Sequence, residues 1–454
     1  MDNVIDLIFD GPHLNGGQQD FTFYAEGGSP VIVNRIVDFL DTNRAKLAEI
    51  NLSLYLCNNL ALVDQLRQLA VLGVEINIYS IPLEGYDGKV ANNGIFPSYF
   101  NHSVLNNTKS GVNKSSKKDI AERVYDYLKH SETMNLFIYD HIYLRSKSVK
   151  PFSRGTVPYS LHIKNLYIKM KDGSSYTVIT SSNLAVRDLR KEEMCIVLQN
   201  SQESGDKAAE FYRQLTINST DYRLLNTNDA HSSNPLNFQE DTDKITPRHG
   251  VDNVYFTGSF LSKSNANVEA KLSELISKAQ KRVMICGQHI SNCALLPTKV
   301  GEQEKEKKKV EVSVLSQTYT DNTYDAESKT VNIDGRRVKS RTPQNSAGFR
   351  RYINQLKNIP QAKCYFNDSI HLKFIVIDDH VVVSSGNFTD TQFIYKDVSI
   401  SQFSKMPNAS YQGTFSEVNA YYIGLNQPKL AQQLSNHFLT LVRLPTTVTA
   451  FENH

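Results

Sequence analysis

Two short runs in this sequence hold matching sets of residues whose types suit phosphoryl chemistry. The first contains His162, Lys164, Ser181, Ser182 and Asn183; the second contains His371, Lys373, Ser385 and Asn387. In an extended strand, residues two apart face the same side, so His162 points with Lys164 and His371 with Lys373. A carboxylate follows each asparagine ten positions on, Glu193 after Asn183 and Asp397 after Asn387. One imidazole of such a pair can attack phosphorus and form a covalent phosphohistidine. The other can protonate the leaving oxygen and then activate water. Lysine, asparagine and serine groups can hold the non-bridging oxygens as charge moves. A carboxylate on the far ring nitrogen fixes a histidine's tautomer and raises its basicity, the role expected of Glu193 and Asp397. A lone histidine in a strand is more often structural, but two copies of one His-Lys-Asn set favour catalysis by His162 and His371.

The elements around these runs repeat as well. INLSLYLCNN (50–59) has the pattern of a buried strand, LALVDQLRQLAVLG (60–73) has helical apolar spacing, and VEINIYSIP (74–82) alternates like a strand. Further on, KRVMICGQHI (281–290) is the matching strand, followed by a looser segment and then by the strand KVEVSVLSQTY (309–319). A helix is expected before the first strand of each copy, over 31–50 and 265–280. Strands alternating with helices of this length imply α/β units with a largely parallel or mixed sheet. Each copy then enters a hairpin that carries its His-x-Lys, 161–184 with an Asp172-Gly173 turn and 370–388 with Asp378-Asp379-His380 near the turn. The divisions expected are an N-terminal half over 1–220, a polar linker over 221–252 and a C-terminal half over 253–454.

At 454 residues the chain is long enough for two or three units of about 150 residues each. Lys plus Arg number 50 against 47 acidic residues, a net charge of +3, so any polyanion site must gather its cations locally. No apolar run approaches a membrane span. The start, MDNVIDLIFDGPHLNGG, is acidic and broken by Gly and Pro, so no secretory leader is expected. The five cysteines are scattered, with no Cys-x-x-Cys pair, which favours neither a zinc cluster nor a disulfide framework and makes a reducing cytoplasm the expected location. Two insertions stand out as polar, 83–135 and 320–346, the second entered through the charged run 302–309, whose interleaved signs read as a solvated surface. In the first, Lys109, Lys114, Lys117 and Lys118 form either a solvated loop or an arm over phosphates. The cluster Phe96–Phe100 could stack bases or simply anchor a loop, and His289 could line a pocket or be a satisfied core residue.

His-x-Lys-x4-Asp followed by a Gly/Ser-rich turn and Asn resembles the signature of the phospholipase D superfamily. His371, Lys373 and Asp378 match its first part, and Ser384-Ser385-Gly386-Asn387 is similar to its end, one residue early. The first copy has Lys169 where the family aspartate would stand, and this pattern, ending in Ser-Asn-Leu, resembles the tyrosyl-DNA phosphodiesterase branch. The resemblance implies two α-β-α sandwich halves related by a pseudo-two-fold axis, with mixed sheets and one active site at their junction. It also implies that His162 is the nucleophile and His371 the general acid, with no metal or other cofactor, and that Asp378, among the catalytic candidates, is a hydrogen-bonding residue. Both motifs lie in one chain, so a monomer can be complete, and a homodimer stays open. A nuclease acting on nucleic acid, DNA first, fits the polar insertions and the lack of Trp. The alternative is a phospholipase D or phosphatidyltransferase, which would need an apolar interfacial segment near the pocket.

Overall fold

The computed structural model describes residues 2–14, 31–54, 59–80, 133–139, 141–143, 160–184, 191–221, 253–258, 260–297, 310–317, 330–333, 336–339, 347–393, 397–400, 411–414 and 416–453. The expected linker lies outside these residues save for Asp221, as does the 83–135 insertion save for its last three residues; of the 320–346 insertion only 330–333 and 336–339 are described.

The first copy runs β1 (Asn3–Asp10), α1 (Val31–Thr42), β2 (Leu47–Leu54), α2 (Leu60–Val71), β3 (Glu75–Ser80), β4 (Met134–Ile138), β5 (Ile142–Tyr143), β6 (Lys164–Met170), β7 (Ser175–Thr180), β8 (Glu193–Gln199), α3 (Gln202–Ile217) and β9 (Thr220–Asp221). The second runs β10 (Asn253–Thr257), α4 (Ser262–Ser277), β11 (Arg282–Gly287), β12 (Glu311–Ser316), β13 (Thr330–Ile333), β14 (Arg336–Lys339), α5 (Ala347–Leu356), β15 (Ala362–Phe366), β16 (Lys373–Ile377), β17 (His380–Ser384), β18 (Asp397–Ile400), β19 (Tyr411–Thr414), β20 (Asn419–Gly424), α6 (Pro428–Val442) and β21 (Val448–Glu452). The helix expected over 31–50 stops at Thr42, and the chain turns through 43–46 into β2. In the looser segment after β11, the described residues 288–297 carry a 3₁₀ turn at Cys293–Leu295, where the first copy has α2.

Each copy builds an eight-stranded mixed sheet, in the orders β1-β8-β7-β6-β2-β3-β4-β9 and β10-β20-β17-β16-β11-β12-β15-β21. The two sheets agree strand for strand in direction. β2, β3 and β4 are parallel to one another, as are β11, β12 and β15, and the other neighbours are antiparallel. The protein is therefore an α/β molecule of two similar halves. A small third sheet, β18-β19-β5, takes strands from both copies.

Both faces of each sheet are covered, which is why strands such as KFIVI and EMCIVLQ are almost wholly apolar. Alternate residues divide between cores. Val178, Cys195 and Val197 face an outer core under α1 and α2. Ile179, Ile196 and Leu198 face a central core shared with Phe256, Phe374 and Val383 of the second copy and with α3 and α6. A third core lies under α4 and α5. Local signals set the helix starts: Asn59 Oδ1 accepts from Leu62 N at 3.1 Å, Ser201 Oγ from Ser204 N at 3.3 Å, and Pro428 opens α6. The layers thus stack helix, sheet, α3 with α6, sheet and helix, and the two His-x-Lys hairpins, β6–β7 and β16–β17, sit at the middle of their sheets.

Candidate active site

The histidines stand just before the central strands, where the two halves meet. Leu161 bridges to Val418 and Ile370 to Glu192, both in parallel, so each histidine segment docks on the other half. Val418 N donates to Ser160 O at 2.8 Å, and Glu192 N donates to Ser369 O at 2.7 Å. His371 N donates to Glu192 O at 3.1 Å.

Lys164 and Lys373 are fully buried, at 0% exposure. An ammonium in that setting is costly unless hydrogen-bonded and matched by opposite charge. Lys164 Nζ donates to His162 O at 2.5 Å, and Lys373 Nζ donates likewise to His371 O, so each lysine braces the backbone of its own histidine. The charges of both lysines reach the Glu193 carboxyl. Burial pushes that carboxyl up to about 7, against the pull of Lys373, the Ser181 hydroxyl and Lys164. The His162 imidazole is held well below its ordinary value by burial first and then by Lys164, Lys373, His371 and His289. Four cations or potential cations therefore crowd His162.

Each histidine meets a carboxylate from the opposite half. His371 Nδ1 lies 2.6 Å from Glu193 Oε1, and His162 Nδ1 lies 3.3 Å from Glu417 Oε2. With Nδ1 facing a carboxylate in both, Nε2 is the nitrogen left for chemistry. Gln392 Nε2 donates to Glu417 Oε2 at 2.6 Å, and Asn419 Nδ2 donates to Gln392 Oε1, so a buried amide chain fixes Glu417.

Several expectations need correction. Asp397 is not the counterpart of Glu193. Ser181 N donates to Met194 O and Ser385 N to Ala420 O, which aligns Glu193 with Asn419. Asp397 instead begins β18 and pairs there with Thr414. Asp378, placed among the catalytic candidates as a hydrogen-bonding residue, stands at the turn end of its hairpin, opposite the end that carries His371. It sits in the β16–β17 turn at φ 51°, and its carboxylate accepts from Gln280 N, Lys281 N and Arg282 N at 2.7, 2.8 and 2.9 Å. Ser181 and Ser385 are hydrogen-bonded to protein groups. Ser181 Oγ donates to Glu193 Oε2 at 2.5 Å, and Ser385 Oγ accepts from Ala420 N at 2.9 Å.

Asn183 and Asn387 are buried just past β7 and β17, at the sheet end from which Lys164 and Lys373 start. His289 is half-buried, its carbonyl accepts from Phe388 N at 3.0 Å, and its charge reaches His162, so it belongs to the site's surroundings. Lys109, Lys114, Lys117, Lys118 and the Phe96–Phe100 cluster lie outside the described residues. Glu417 and Gln392 were missed in the sequence because no motif or spacing marks them. Among the described residues no group of three His, Cys, Asp or Glu is arranged to hold a metal ion.

No family model matches the sequence, and no curated protein matches it. Solved structures that resemble the chain do so at low sequence identity. Phosphatidylserine synthase from Haemophilus influenzae shares 10% identity at a TM-score of 0.48, over 92% of this chain and 85% of that one. A variant of yeast tyrosyl-DNA phosphodiesterase shares 12% identity at 0.42, over 93% and 90%. Polyphosphate kinase from Porphyromonas gingivalis shares 10% identity at 0.43; it is matched over 98% of this chain, which spans only 51% of that protein. Likeness at this level concerns the course of the chain alone.

Proposed function

We propose that the chain is a phosphodiesterase that works through a phosphohistidine without a metal, and that its substrate is a nucleic acid. One observation carries the reading: the two halves bring His162, Lys164, His371 and Lys373 together, with a carboxylate from the opposite half on Nδ1 of each histidine. His162 is the nucleophile, because an imidazole held well below its ordinary value is neutral at working pH. Its Nε2 attacks phosphorus as the phosphorus–oxygen bond to the leaving group breaks, and His371 gives that oxygen its proton. Water then attacks the phosphohistidine and passes a proton to His371, the nitrogen–phosphorus bond breaks, and both histidines return to their starting states. Lys164, Lys373, Asn183 and Asn387 are the groups available to the non-bridging oxygens.

The choice of nucleic acid over lipid is supported by the surface. The large exposed apolar residues among those described (Ile5, Leu14, Val31, Val71, Leu72, Ile217 and Leu439) are spread over β1, the turn after it and the helices α1, α2 with its C-cap, α3 and α6, with only Val71 and Leu72 adjacent in sequence. The lysines of the 83–135 insertion add a candidate arm for phosphates.

The test is cleavage in excess EDTA of single- and double-stranded DNA, RNA and phosphatidylcholine vesicles. Wild type should cut a nucleic acid, and His162→Ala and His371→Ala should each lose roughly 10⁴-fold or more in kcat. Acid-labile, base-stable label should remain on the wild-type protein after quenching and be absent from His162→Ala. Strict dependence on a divalent metal, or a near-normal rate in either variant, would sink the reading; turnover of lipid alone would move the substrate to the other class.

A further inference from the structure

The N-terminal turn at residues 11–14 makes a buried contact that the mechanism above does not use. His13 Nδ1 meets Glu192 Oε2, and His13 N donates to Glu192 Oε1 at 3.3 Å. The two side chains are only 10% and 2% exposed. The fit is close. A Cβ on Gly11 would stand 2.0 Å from Glu192 Oε2, so a side chain there would push the carboxylate from its place. The turn is closed by Leu14 N donating to Gly11 O at 3.1 Å, and β1, which leads into it, pairs Asp10 with Glu193. On its other side the His13 ring is tilted against His437 of α6, with centroids 5.4 Å apart, and His437 stacks on Phe9 at 3.7 Å.

Glu192 occupies a special place in the chain. Its N–H and C=O are both spent on the second half, to Ser369 O and from His371 N. The next residue, Glu193, puts its carboxylate on His371 Nδ1. Anchoring the Glu192 side chain therefore fixes, within two residues, both the backbone and the ring of His371. A free Glu192 side chain would leave that segment held by its backbone bonds and by the flanking side chains Lys191, which donates to Asp368 O at 2.7 Å, and Glu193. The symmetry-related position in the second half is Val418, which has no side chain to clamp, so the device serves His371 and not His162.

We propose that His13 is a positioning residue for the reaction, holding Glu192 so that Glu193 and the His371 imidazole keep the geometry for proton transfer. This rests on the role given to His371 above, so the test includes a readout that does not need turnover. The Nδ1 proton of His371, in a 2.6 Å contact with Glu193, should give a resolved downfield proton resonance, assigned by its loss in His371→Gln. In His13→Ala that resonance should shift or broaden, and kcat should fall about 10- to 100-fold with KM within about twofold, the range seen when the supporting partners of a site's ligands are removed. His13→Asn, whose amide can donate where Nδ1 does, should recover both. If His13→Ala does not fold, Glu192→Gln, which keeps size and an acceptor, should show the intermediate shift. An unchanged His371 resonance with unchanged kcat in His13→Ala, or in Glu192→Gln where that variant stands in, overturns the proposal. A normal resonance response in a protein that cleaves no phosphodiester would instead leave the positioning intact and reject the function.

Discussion

At the level of single residues, the site is asymmetric where the sequence motifs are symmetric. The position that supplies Glu193 to His371 supplies Asn419 in the other half, and Glu417 reaches His162 from two residues earlier. His371 thus has a buried carboxyl held at about 7, while His162 is kept neutral by burial and its lysine neighbours. His371 Nδ1 and Glu193 Oε1 are 2.6 Å apart, so a proton lost from one alters the hold of the other on its own proton. In the acid role proposed for His371 the pair must hold a proton, so kcat should fall as pH rises through about 7. Glu193→Gln cannot titrate and should move this limb while lowering the maximal rate about 10- to 100-fold. The same shift has a stability sign. The carboxyl ordinarily loses its proton near 4.5 and here keeps it to about 7, so its stabilising contribution is full at the lower value and lost as pH rises through the upper one. A pH–rate profile of wild type and Glu193→Gln measures this directly; a wild-type rate still climbing at pH 9 would remove His371 from the acid role. Glu417→Gln should lower kcat by a similar factor without moving the basic limb, because it faces His162, the proposed nucleophile, rather than His371.

At the level of elements, the hairpin β16–β17 separates function from support along its length. His371 and Lys373 stand at its open end and Asp378 at its turn, where the carboxylate gathers three amides at the start of β11. Asp378→Ala should cost about 1–3 kcal/mol by leaving those amides without their acceptor, and kcat should stay within about twofold. Thermal unfolding beside a turnover assay checks both halves of that statement; a large loss of kcat in a folded variant would return Asp378 to the chemistry. The element scale also shows what the sequence could reveal. The hairpins, both His-x-Lys pairs and the α/β repeat were legible because period-two alternation and turn residues are local. The partners of the histidines were not, because they are made by docking one half on the other. The matched offset that singled out Asp397 failed for a definite reason. Between Asn183 and the aligned position Glu193 the chain is short, whereas between Asn387 and its counterpart Asn419 it adds β18 and β19, so sequence distance no longer tracks sheet register.

For the whole molecule, the two halves share their largest common core, and this decides how the protein should unfold. Phe211 of α3 stacks on Phe256 of β10 with centroids 4.1 Å apart and planes 9° from parallel, and Ser204 Oγ lies 3.4 Å from Val254 N. Ile196 and Leu198 of the first sheet belong to the same cluster as Phe374 and Val383 of the second. Neither half can expose that surface cheaply, because each buried aromatic would lose several kcal/mol of packing. The histidine segments add backbone bonds across the same junction, from Glu192 to Ser369 and from Val418 to Ser160. Two domains joined mainly by a linker would melt in two steps. Here a single cooperative transition is expected, with near-ultraviolet and far-ultraviolet signals sharing one midpoint and catalytic activity lost at the same denaturant concentration. Phe211→Ala should lower stability by about 3–5 kcal/mol and move all three curves together, since the cavity it leaves lies between the halves and not within either. Separation of the curves in that variant, with one sheet outlasting the other, would show that the halves are independent folding units and that the junction, and with it the assembled histidine pair, is the weaker interface.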